Sequence, residues 1–108
     1  MPMEHENCPC METCPLNRAM ALIGGKWKMQ ILCSLYNNGP TRYNQLKKTL
    51  DGVSNTVLAN ALRELEGDGL AHRREYLEVP VRVEYAITEP CRQLIPILDA
   101  LGDWSMAL

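Results

Sequence analysis

Apolar positions along this chain fall into helical stripes, separated by breaks rich in glycine and proline, with a short stretch of strand-like alternation late in the sequence. After Pro15, which suits a first helical turn, Leu16, Met20 and Ile23 recur at helical spacing until Gly24-Gly25 interrupts. Residues 26–36 read as a second helix with Trp27, Ile31, Leu32 and Leu35 on one side, and Asn37-Asn38-Gly39-Pro40 stops it. Thr41 is placed to cap a third helix whose buried stripe is Tyr43, Leu46 and Leu50, and Asp51-Gly52 makes the next turn. Ser54 caps a fourth helix, buried through Val57, Leu58, Ala61, Leu62 and Leu65 and ended by Gly67 and Gly69.

The period then changes. Residues 71–77 read as a strand, Val79-Pro80 as a turn, and Val83, Tyr85 and Ile87 as the alternating positions of a return strand. Thr88 caps a last helix with Pro90 in its first turn. Leu94, Leu98, Leu101 and Trp104 line one side of it, and Ile95 and Ile97 widen the apolar arc. The expected fold is mainly α with a small β-hairpin wing (α+β): a winged helix-turn-helix whose N- and C-terminal helices form a dimer. Residues 1–13 show no periodicity and are expected to be a mobile tail, with residues 14–108 forming the domain. The end helices are more apolar than a lone domain of this size needs, so Leu16, Met20, Ile95, Leu98, Leu101 and Trp104 are the expected dimer contacts.

Charge changes the picture by its distribution. The net charge is −2, which taken alone speaks against nucleic acid. Residues 18–82, however, carry ten basic and six acidic side chains, while both ends are acidic. The middle of the chain can therefore present a positive face. A recognition helix offers polar side chains at its N-terminal end and along one outer face, to reach base edges in the major groove. Ser54, Asn55 and Thr56 open the fourth helix, and Asn60 and Arg63 continue the face that Thr56 begins. Asn pairs bidentately with adenine and Arg with guanine. Arg42, Asn44, Lys47 and Lys48, on the preceding helix, are candidates for phosphate contacts, as are Lys26 and Lys28. On the wing, Arg82 is favoured over Arg73 and Arg74; the alternative for Arg82 is an ion pair with Glu84 or Glu75.

Several segments in order resemble one family. Cys14-Pro15-Leu16, then IGGKWKMQIL at 23–32, GP-T-R-Y at 39–43, LRELEGDGL at 62–70 and EVPVRVEYAIT at 78–88 are similar to the HxlR-type transcriptional regulators, winged-helix relatives of the MarR group. The resemblance spans residues 14 to 104. It implies a prokaryotic homodimer bound to double-stranded operator DNA. It also implies, in many members, sensing of a small electrophile or oxidant through a cysteine near the N-terminus. Cys14 occupies that sensing position, and Arg82 falls in the family's Arg-Val-Glu-Tyr motif. Cys91 stands where the family usually has glycine.

Five cysteines, an odd number, argue against a simple disulfide framework. Cys14 begins a helix, where the dipole favours a thiolate, and Arg18 lies one turn on. Cys8, Cys10 and Cys91 are its possible redox partners, and Cys33 reads as inert filler. Three readings stay open: thiol sensing, inert cysteines, or metal or iron–sulfur binding through the N-terminal group, for which Cys-x-Cys-x₃-Cys spacing gives weak support. No cofactor is expected. His5 and His72 have no nucleophile or acid arranged around them, and no phosphate loop or dinucleotide fingerprint occurs, so an enzyme is not expected. The opening residues hold no apolar h-region and nothing approaches a membrane span, so a cytoplasmic protein is expected. A rival from another class is a winged helix that binds protein as an adaptor, which the acidic total would fit.

Overall fold

The computed structural model describes residues 14–108; Glu4, His5, Glu6, Cys8, Cys10 and Glu12 lie outside the described residues. The elements run α1 (Pro15–Ile23), α2 (Lys26–Asn38), β1 (Thr41–Arg42), α3 (Tyr43–Thr49), α4 (Asn55–Gly67), β2 (Ala71–Tyr76), β3 (Arg82–Ile87) and α5 (Glu89–Met106). The three strands form an antiparallel sheet in the order β1-β3-β2. This is a winged helix: three helices and a hairpin around one core, with a further helix at each end.

The core is aliphatic. Ile31, Leu32 and Leu35 of α2 meet Leu46 of α3 and Leu58, Leu62 and Leu65 of α4, while Ala71 and Ile87 bring in the root of the hairpin. Trp27, Tyr43 and Tyr85 pack against its edge.

Local chemistry explains most element ends. At Ser54 the backbone is extended and the side chain accepts from Val57 N–H at 3.1 Å, so the α4 cap is as expected. Thr88 caps α5 by accepting from Cys91 N–H at 3.3 Å. Its hydroxyl also donates to the Gly69 carbonyl at 2.6 Å, tying the start of α5 to the α4–β2 turn. Gly69 itself has φ 79°, a left-handed conformation that a side chain would strain. At the end of α1, a Cβ on Gly24 would strike the Met20 carbonyl, so only glycine lets the chain turn there.

Three expectations are corrected. Thr41 does not cap α3: it pairs with Tyr85 in β1, is buried, and its hydroxyl donates to the Gly39 carbonyl at 2.7 Å. Arg42 is therefore a strand residue at the N-cap of α3 rather than part of that helix. Val57 is exposed, because the first turn of α4 overhangs the core and borders the hollow around Trp27 and Lys26. Ile95, expected at a dimer contact, is only 6% exposed within its own protomer: with Cys91 one turn earlier it anchors α5 to the domain. The outward row of α5 is instead Ile97, Leu101 and Trp104, which are 63%, 50% and 61% exposed. No helix among the described residues is long and apolar enough to cross a membrane.

Candidate nucleic-acid interface

Helices α3 and α4 with their turn form a helix-turn-helix, and α4 is its second helix. One face of α4 is sunk in the core through Leu58, Ala61, Leu62 and Leu65. Ser54, Asn55, Thr56, Asn60 and Arg63 are all exposed, at its leading end and on its outer side. Two contacts fix the polar groups. The Tyr43 hydroxyl of α3 lies 3.1 Å from the Asn55 carbonyl and 3.2 Å from Asn55 Oδ1, as a donor shared between them. Arg63 Nη1 donates to Asn60 Oδ1 at 2.8 Å, so the guanidinium is held beside the amide rather than swinging free. Sequence reasoning assigned Tyr43 to the core alone. Its half-buried ring does pack there, but its hydroxyl also orients the tip of α4.

Basic side chains gather beside this helix. Arg42, Asn44 and Lys48 line a broad groove between α3 and the wing, with Arg82 on the far wall, and Lys47 borders an adjoining hollow with Asn44 and Lys48. Arg42, Lys47 and Lys48 have no ion pair among the described residues, which leaves their charge available to phosphate. Lys28 is committed elsewhere, to Glu64 of α4 at 2.7 Å. Lys26 lies 4.7 Å over the Trp27 ring.

The wing is differently built from a simple basic hairpin. The Arg82 guanidinium stacks 4.0 Å over Tyr76, sits 3.2 Å from Glu78 and, through Nε, 3.6 Å from Glu84. The Glu84 pairing is one of the two readings the sequence allows. Nε is shielded and has no hydrogen-bond partner among the described residues. Arg73 is paired with Glu75 at 2.7 Å. The turn beyond them carries Leu77, Val79 and Val81 outward.

The cysteines separate. Cys14 is buried at the N-cap of α1, and its carbonyl accepts from Asn17 N–H at 2.9 Å. The Arg18 side chain borders a hollow shared with Lys28, Glu64 and Asp68 of the neighbouring helices. Cys91 is fully buried, and burial pushes its thiol up, helped by the nearby Cys33 and opposed by Arg92. Cys33 is exposed on α2, yet partial burial of its thiol and the charge of Asp99 push it up too. The neighbourhood of Cys33 and Cys91, nearly sixty residues apart, was not visible in any spacing. Among the described residues no three His, Cys, Asp or Glu groups come together to hold a metal. A raised pKa means less thiolate at neutral pH, so Cys33 should alkylate more slowly at pH 7 than a free thiol such as glutathione, with its rate still climbing above pH 9. Iodoacetamide kinetics followed by mass spectrometry measure this; a rate equal to that of glutathione would contradict it.

A polar helix face flanked by cations that lack an ion pair among the described residues, with a wing alongside, is the arrangement of a winged helix-turn-helix transcriptional regulator that binds DNA. The chain belongs to the HxlR-like helix-turn-helix family, whose model matches residues 22–108. An uncharacterised helix-turn-helix transcriptional regulator of Halalkalibacterium halodurans is 41% identical over 92 residues, 85% of this chain and 81% of that protein. The redox regulator HypR in its oxidised form superposes with TM-score 0.80 at 36% identity, covering 88% of this chain and 97% of that one. Reduced YodB from Bacillus subtilis gives 0.79 at 29%, covering 88% and 92%.

Proposed function

We propose that the chain acts in the prokaryotic cytoplasm as a homodimer on a palindromic operator. Helix α4 enters the major groove: Ser54, Asn55 and Thr56 contact the DNA from its leading end, and Asn60 and Arg63 read base edges. Arg42, Asn44 and Lys47 grip phosphates. Arg82 is the weakest of these contacts, since reaching DNA means giving up Glu78 and Glu84. The observation that carries the reading is the exposed face of α4, opposite its buried one, with unpaired cations beside it. Arg63→Ala should cost about 1–3 kcal/mol on the true operator and far less on random duplex. Lys47→Ala should weaken all sequences alike and lower the salt slope by about 0.9. Equal losses on operator and random DNA for Arg63→Ala would remove it from base readout.

The second reading is redox control through Cys14. HypR is described as a redox regulator, and YodB is known in reduced and diamide-treated forms. The position of Cys14 at the head of α1 supports it, because α1 is proposed to lie at the dimer contact through Leu16 and Met20, both exposed. Its burial argues against ready access by bulky reagents. In the step considered, an oxidant such as diamide takes two electrons and two protons from Cys14 and a second thiol as their disulfide forms. Cys8 and Cys10 are candidates for that second thiol; Cys91 is buried beside Cys33. Diamide is expected to change operator binding in the wild type and not in Cys14→Ser. An unchanged response in Cys14→Ser would end the proposal while leaving the DNA reading intact.

A further inference from the structure

On the outer side of the sheet a hollow of about 250 Å³ remains that the DNA reading does not use. Strand alternation builds its wall. His72, Arg74 and Tyr76 of β2 point away from the face that buries Ala71, and their cross-strand partners Ala86, Glu84 and Arg82 lie on the same side. Leu35 and Ile87 reach it from the core, Pro40 closes one edge, and Arg92 comes in from α5. Of the charged groups, Glu84 faces Arg82 at 3.6 Å. The side chains of Arg74 and Arg92 have no ion pair or hydrogen bond among the described residues. Two guanidiniums with a histidine thus border one small concavity whose single carboxylate is already engaged.

Guanidinium forks match carboxylates, and like charges brought together gain most from an anion between them. The aliphatic back of the hollow suits a short apolar body attached to that anion. We propose that this hollow binds a small aliphatic monocarboxylate, its oxygens between Arg74 and Arg92 and its chain against Leu35, Pro40 and Ile87. The ligand would bridge the wing root, the α2–β1 turn and α5, and so hold the wing at one setting against the helix proposed for dimer contact. That consequence rests on the proposed DNA-binding mode; the binding itself does not.

Amide NMR titration of the full chain with acetate, butanoate and hexanoate at constant ionic strength tests it, with inorganic phosphate as a comparison. The expected result is saturable shifts at Gly39, Ala86, Ile87 and Arg92, with Kd improving about fourfold per added methylene. Arg74→Gln and Arg92→Gln, exposed changes on different elements, should each weaken hexanoate at least tenfold while the remaining spectrum overlays. No saturable shift at these amides would overturn the proposal. So would equal affinity for acetate, hexanoate and phosphate, the signature of an adventitious ion only, or unaltered hexanoate binding in both variants.

Discussion

Replacing Leu101 and Trp104 together by glutamate should leave the chain monomeric and lower operator affinity by roughly 10²–10⁴-fold, the gain ordinarily supplied by linking two half-site contacts. Helix α5 runs through Pro96 and Gly102, which cost about 3 and about 1 kcal/mol in an ordinary helix interior. Within the protomer little offsets this, since Ile97, Leu101 and Trp104 face outward with Met106 beyond them. Ile97, Leu101 and Trp104 recur at i, i+4 and i+7, a continuous stripe, and Leu16 and Met20 of α1 add a second exposed pair. A two-fold partner covering both stripes would supply the missing burial. Light scattering at micromolar concentration, beside anisotropy on operator DNA, is the measurement. A wild type that is monomeric, or a double variant with undiminished affinity, would refute the dimer.

Leu62→Ala should destabilise the fold by about 2–5 kcal/mol. Leu62 is among the most deeply buried side chains, and it lies on α4, the helix proposed to meet DNA. The loss combines transfer of the side chain with the cavity left between rigid neighbours, and it is large against the about 5–15 kcal/mol that holds a typical domain. A urea midpoint lowered with little change in slope is the expected signature. A loss below about 1 kcal/mol would mean that α4 is not packed as described.

What could be read from the sequence divides along physical lines. Caps are local, so Ser54 and Thr88 announce α4 and α5 through a hydroxyl three residues from the amide it serves. The exposed polar face of α4 was legible for the same reason: helical spacing alone separates Thr56, Asn60 and Arg63 from the buried Leu58, Leu62 and Leu65. Strand β1 was not legible. Two residues carry no alternation, and Thr41 is extended because of Tyr85, far along the chain, rather than because of its neighbours. In α5 the apolar arc is too wide for spacing to say which row meets the core; packing against α2 assigns Cys91 and Ile95 inward and frees Ile97. The commitments of Arg82 and the meeting of Cys33 with Cys91 depend on tertiary placement. So does the hollow of Arg74 and Arg92, whose members come from a strand and a distant helix.

Sequence-specific DNA binding through α4 is measured by anisotropy of the full chain on the duplex upstream of its own gene, across a salt series. The expected result is saturable binding that weakens steeply with salt, exceeds random duplex by about a thousandfold or more, and loses most of that excess in Arg63→Ala. Binding that is absent at low salt, or equal on upstream and random DNA and indifferent to Arg63, would contradict it and favour a winged helix that docks on protein.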